Sequence, residues 1–147
     1  MKKIILLILL LYGQLFASDI QSTLKIYHQI FSAMLHKEKV RVYTSDRELL
    51  HIFKHSKRII LVQDPKKADI VLIGNTEGYE KLKSLLGQEK KQKIIFATDY
   101  HVLKNDAVVG ALYWKKGRSQ LLFVKPRLKQ FNITLPKAYE HFIVDRL

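Results

Sequence analysis

The chain has no cysteine among its 147 residues. That removes disulfide staples, thiol nucleophiles and thiolate metal ligands together. It also excludes a lipid-modified cysteine behind an export signal. Stability must come from packing alone. Glycine is scarce, at six, and neither G-x-G-x-x-G nor G-x-x-x-x-G-K-[ST] occurs, so nucleotide binding has no support. The G-x-S-x-G turn of serine hydrolases and the H-E-x-x-H helix of zinc proteases are absent too. No apolar run reaches the roughly 20 residues that span a bilayer. Acidic residues are few, 13 against 26 basic, for a formal net charge of +13.

What is present begins with the N-terminus, MKKIILLILLLYGQLFASD. Lys2 and Lys3 precede an apolar run from Ile4 to Tyr12, and Ala17 and Ser18 are small. This is the pattern of a secretory signal peptide over residues 1–17. The alternative is an uncleaved anchor, because Leu15 fits the small-residue cleavage rule poorly. Residues 18–147 are then one exported, periplasmic domain of a size that can bury a core. Export argues against nucleic acid as the partner of the positive charge. An anionic membrane surface, an acidic protein or an anionic solute would fit it. The lysines punctuate nearly every loop, as at Lys37, Lys66, Lys90 and Lys115, which reads as solvated surface with long-range steering.

Asp19 to His36 carries apolar residues at Leu24, Tyr27, Ile30, Phe31 and Met34, in helical steps of three and four. Lys39–Thr44, Arg58–Val62, Ala68–Ile73 and Lys93–Ala97 read as strands. Between them, Ser45 with Glu48 reads as a capping box opening a helix that buries Leu49, Leu50 and Phe53. Glu77–Leu86 reads as a helix with Leu82, Leu85 and Leu86 on one face, ended by Gly87. Ala107–Trp114 and Gln120–Val124 flank a glycine-bearing turn and predict a hairpin. Pro126–Phe131 is a helical turn, and Leu135–Leu147 is expected as a closing helix. Strands alternating with helices predict an α/β fold in three layers. Its sheet is mostly parallel, with an antiparallel hairpin at the C-terminal end and a single domain.

In an open parallel sheet, ligands bind outside the carboxyl ends of the strands. Three of those ends are polar in the same way: Thr44-Ser45-Asp46, Gly74-Asn75-Thr76-Glu77 and Thr98-Asp99-Tyr100-His101. On neighbouring strands they would converge on one rim. Thr44, Ser45, Asn75, Thr76, Thr98, Asp99, Tyr100 and His101 are the candidate ligand-binding residues for a polar or anionic solute. The competing reading is that Ser, Thr, Asp and Asn stand there as helix caps. Tyr100 and His101 are not needed as caps.

No catalytic residue is identified. Ser45, Ser56, Ser84 and Ser119 have no nucleophile context. Asp46, Glu77 and Asp99 could form a carboxylate pair only if geometry brings them together. His51 and His55 share a helix face at metal-ligand spacing, but solvated histidines suit a lysine-rich surface better. No cofactor or metal is expected. Tyr113 and Trp114, the latter being the one tryptophan, could anchor a protein partner or belong to the core.

The phrases ADIVLIGN, IIFATDY and VVGALYWKKGRSQLLFV, followed by PRLKQFNITLPKAYEHFIVDRL, together resemble the YfiR-like group of exported α/β proteins. Thr98-Asp99, Gly110 and Phe131-Asn132-Ile133 stand where that group carries its short motifs. The resemblance covers most of residues 18–147. It implies a non-catalytic regulator of a membrane signalling protein, a kinase or cyclase. That group's disulfide-based redox sensing does not carry over to a chain without cysteine. The other expectations are a small periplasmic solute-binding protein using the rim and a hydrolase built on the same rim.

Overall fold

The computed structural model describes the backbone of residues 2–147, with side chains from Asp19 onward. The leader expected over residues 1–17 lies outside the residues described in full. The chain is an α/β protein built on one seven-stranded sheet. Its strands are β1 (Val40–Thr44), β2 (Ile59–Leu61), β3 (Ile70–Ile73), β4 (Ile94–Ala97), β5 (Val108–Lys115), β6 (Arg118–Val124) and β7 (Ile143–Val144). Their order is β2-β1-β3-β4-β5-β6-β7, parallel except for the β5–β6 hairpin. The order of the first five strands is a common doubly wound arrangement, with its switch point between β1 and β3. Among the described residues, no helix is long and apolar enough to cross a membrane.

The helices are α1 (Lys2–Leu35), α2 (Arg47–Phe53), α3 (Thr76–Leu86), α4 (Tyr100–Leu103) and α5 (Lys125–Gln130). The three layers follow from two-sided strand burial. Ile70 and Leu72 of β3 face one side, where α1 sets Tyr27, Ile30 and Phe31. Val71 and Ile73 face the other side, where α3 sets Tyr79, Leu82 and Leu86. Phe96 bridges Phe31 and Phe123 with ring centroids 6.1 Å and 5.9 Å away. The α1 helix stops at His36, whose φ of 53° is left-handed. The His36 imidazole then donates to the Thr134 carbonyl at 2.9 Å, tying the helix end to the C-terminal segment.

Three sequence expectations change. Leu135–Leu147 is not a closing helix. A 3₁₀ turn at Lys137–Phe142 leads into β7, which pairs in parallel with β6. Tyr139, Phe142 and Ile143 pack on the α1 side as a helix face would. The β-branched pair Ile143-Val144, however, takes the free edge of β6, as suits such residues, and Leu147 is exposed. Leu50 and Leu85 were expected inside but are 37% and 45% exposed. The helix stripes are instead Leu49 with Phe53, and Tyr79, Leu82 and Leu86.

One irregularity sets the orientation of the hairpin. Ile95 pairs with Val108, but Phe96 pairs with Gly110, so β5 carries a bulge at Val109. Beyond it, Ala111 and Tyr113 face the α3 side. Leu112 faces the α1 side, and by alternation so does Trp114. Gly110 is what the bulge needs. A Cβ there would stand 2.7 Å from the Leu122 carbonyl oxygen, 2.7 Å from Phe123 Cδ1 and 3.1 Å from Phe96 Cε2. Arg127 of α5 fixes the entry to this strand. Its Nη1 donates to the carbonyls of Leu103, Asn105 and Val108 at 2.6, 2.9 and 2.7 Å. The Gly110→Ala substitution is therefore expected to destabilise the fold by about 1–3 kcal/mol, as overpacking does, read as a lowered urea midpoint.

Candidate functional site

Strands β1, β3 and β4 are neighbours and parallel. The three polar strand ends therefore do lie on one rim. Thr98 N donates to the Ile73 carbonyl at 2.9 Å, stitching two of the ends together. A Cβ at Gly74 would lie 3.1 Å from Thr98 Oγ1 and 3.6 Å from Asp46 Oδ2. The missing side chain lets a hydroxyl and a carboxylate from the two neighbouring strand ends close over Gly74. A Cβ at Gly78 would lie 3.9 Å from Ser45 Oγ, so Ser45 stands beside the first turn of α3.

Most of the rim's polar atoms serve as caps. Asp46, rather than Ser45, is the N-cap of α2 and accepts from Leu49 N at 3.0 Å. Asn75, rather than Thr76, is the N-cap of α3 and accepts from Gly78 N at 2.7 Å. Asp99, expected as a cap together with Thr98, caps α4 and accepts from His101 N at 2.7 Å. For α2 and α3 an Asp or Asn one position from the expected residue supplies the cap oxygen. Thr44 is buried and its hydroxyl accepts from Asp46 N at 3.2 Å. Thr76 is exposed on the first turn of α3.

Tyr100 and His101 form the first turn of α4, with rings 6.4 Å apart. Tyr100 also packs on Tyr113, centroids 5.3 Å apart. The ammonium groups of Lys104 and Lys115 stand 5.9 and 6.0 Å from the Tyr100 ring centre, within cation–π range. Asp99, Tyr100 and His101 line a shallow pocket of about 370 Å³ with Tyr113, Trp114 and Lys115. The two expected partner anchors part company. Tyr113 is half-buried against Tyr100, and Trp114 is 77% exposed. His51 and His55 sit side by side on α2, centroids 5.6 Å apart.

A larger groove of about 490 Å³ opens on the other side of Trp114, between α1, α2 and the hairpin. Ile20, Ile26, Ile52 and Leu112 supply its apolar lining. Asp19, Asp46 and Glu48 supply three carboxylates, in a chain with only 13 acidic residues. Burial, reinforced by Asp46 and Glu48, pushes the Tyr27 hydroxyl well above its ordinary value, so it stays protonated. Ile26 is 44% exposed although it lies on a helix that packs against the sheet. Sequence reading missed this groove because its wall residues come from three elements. None of their local patterns marks them as neighbours.

The hairpin itself projects. Pairing with β4 ends at Ala97–Ala111, and pairing with β7 begins at Phe123. Residues 112–121 therefore pair only with each other, and the arm reaches roughly 13 Å past the rim at the rise of an extended strand. Its turn is Lys116-Gly117, with φ of 51° and 74°, the two left-handed residues of a tight hairpin turn. Lys115 lies directly opposite Arg118. Like charges at such a position are destabilising, by roughly 0.2–1 kcal/mol on the scale of cross-strand pairs.

No family model, curated protein or solved structure matches this chain.

The cap assignments carry a direct test. Asn75→Ala should cost about 1 kcal/mol of stability, the usual loss at an N-cap. Thr76→Ala should stay within about 0.5 kcal/mol, as surface substitutions do. Paired thermal or urea unfolding curves distinguish the two residues.

Proposed function

We propose that this chain is an exported, non-catalytic regulatory domain that acts by binding the periplasmic part of a membrane signalling protein such as a kinase or cyclase. The observation that carries the reading is the open groove between α1, α2 and the hairpin. Its lining joins apolar side chains to acidic ones, and Ile26 is 44% exposed in a helix that packs against the sheet. Exposed apolar clusters rimmed by polar groups are characteristic of protein-binding surfaces. The carboxylates of Asp19, Asp46 and Glu48 beside it suit a partner segment carrying basic and apolar side chains. The leader pattern of residues 1–17 and the resemblance to the YfiR-like group support export and a membrane-bound partner. The use of Asp46, Asn75 and Asp99 as caps leaves few polar rim atoms for catalysis.

A photo-crosslinking amino acid at Ile26 or Ile52, in the full chain in its own cells, tests this. The expected product joins the chain to a membrane protein with a cytoplasmic kinase or cyclase domain, identified by mass spectrometry. The same probe at Leu85, which lies on α3 away from the groove, should give no such product. Groove probes that yield only soluble products would sink the proposal.

A second reading is favoured by the pocket beside Tyr100 and His101, where a small polar or anionic solute would meet an imidazole and Lys115. It predicts a thermal shift of several degrees with one solute from a panel of anions and amino acids, lost in His101→Ala. A flat panel removes it.

A further inference from the structure

The arm that carries Trp114 poses a question the groove does not answer. Trp114, Lys115, Lys116 and Arg118 occur within five positions, all exposed. Among the described residues, none of the three cations takes part in an ion pair with a carboxylate; Lys115 stands over the Tyr100 ring. Lys115 and Arg118 face each other across the strands, and Lys116 adopts a left-handed conformation with φ of 51°, which favours glycine or asparagine. The folded chain alone has no use for three unpaired cations and a 77% exposed indole at its outermost tip.

We infer that the β5–β6 tip docks on an anionic lipid surface. Trp114 would sit at the headgroup level, and Lys115, Lys116 and Arg118 would meet the lipid charges. Tryptophan is enriched at membrane–water interfaces because its ring is apolar and its N–H polar. Clustered basic residues are drawn to anionic leaflets within a Debye length of the surface. The arm has the required reach, since residues 112–121 stand clear of the neighbouring strands. A second observation points the same way. Asp19, where the chain comes in from the apolar leader, lines the same groove as Trp114 and Ser119. The leader therefore joins the fold at the end that carries the tip. The carboxylates that share a groove or pocket with arm residues are those of Asp19, Asp46, Glu48 and Asp99. Asp19, Asp46 and Glu48 belong to the groove, and Asp99 shares the pocket with Lys115, so Lys116 and Arg118 are the two cations that line neither. Of the four docking residues only Trp114 also lines the groove, so the three cations act apart from the protein partner while Trp114 is shared with it.

The single tryptophan makes the test specific, because intrinsic emission reports on Trp114 alone. The full chain is titrated with vesicles of phosphatidylcholine and with phosphatidylcholine–phosphatidylglycerol mixtures. The expected result is a blue shift and protection from acrylamide with the anionic vesicles only, reversed by high salt. The Lys115→Glu, Lys116→Glu double variant should lose at least about tenfold in partitioning, given the per-charge attraction to anionic lipid. That variant also replaces a like-charge pair opposite Arg118 with an unlike one, so a loss of binding is not a loss of folding. Emission that does not change overturns the inference. So does an equal shift with both vesicle types, or co-sedimentation in which Trp114 stays open to acrylamide. In the last case the leader alone would be holding the lipid.

Discussion

Ile70, Val71, Leu72 and Ile73 are buried without exception, and that two-sided burial of β3 is the constraint on which the remaining architecture hangs. Burying an aliphatic side chain is worth about 1.5–3 kcal/mol, so a strand of four such residues holds its place only if both faces are covered. Covering one face requires α1 and the C-terminal segment, and covering the other requires α3 and α4. Helices on both faces force the crossovers that make β1, β3 and β4 parallel. Parallel strands put their carboxyl ends on one side. The polar rim therefore exists because the core is apolar on both faces, before any question of a ligand arises.

The bulge at Val109 is the second decision, and it acts on the part of the surface that the rim does not explain. Without it, strict alternation would send Leu112 and Trp114 to the α3 side with Val108. The extra residue turns both toward α1. One face of the arm then walls the apolar groove, and Tyr113 on the other face packs on Tyr100. Gly110 permits this only because Phe96, Phe123 and the Leu122 carbonyl already fill the space where a side chain would go. A packing requirement deep in the sheet thus aims the most exposed aromatic side chain among the described residues.

Much of this was legible in the sequence. Continuous apolar runs such as Ile70–Ile73 could belong only to a sheet covered on both faces, and three- and four-residue steps marked α1. The common rim followed from three similar strand ends. What stayed hidden was non-local or ambiguous at short range. The caps of α2 and α3 were displaced by one position because Ser45 and Thr76 look as competent as the Asp or Asn beside them. The segment ending in Ile143-Val144 has helical spacing, yet an open edge on β6 offered backbone partners that no local pattern records. The groove joins α1, α2 and β5 across more than ninety positions of chain, a separation that periodicity cannot bridge.

The quartet Thr98-Asp99-Tyr100-His101 looks the most chemical in the sequence, yet its polar atoms are largely absorbed by local structure. Asp99 is hydrogen-bonded as a cap, and Tyr100 is stacked and flanked by two ammonium groups. The hairpin tip shows the opposite balance. It has like charges face to face, a lysine in a left-handed turn and an indole in water, and among the described residues none of its cations meets a carboxylate in an ion pair. A sequence that satisfies its local rules nearly everywhere and breaks several within five residues marks that stretch as shaped by something outside the chain. Satisfied polar groups stabilise the fold, and unsatisfied ones at a projecting tip are where an external surface can contribute free energy.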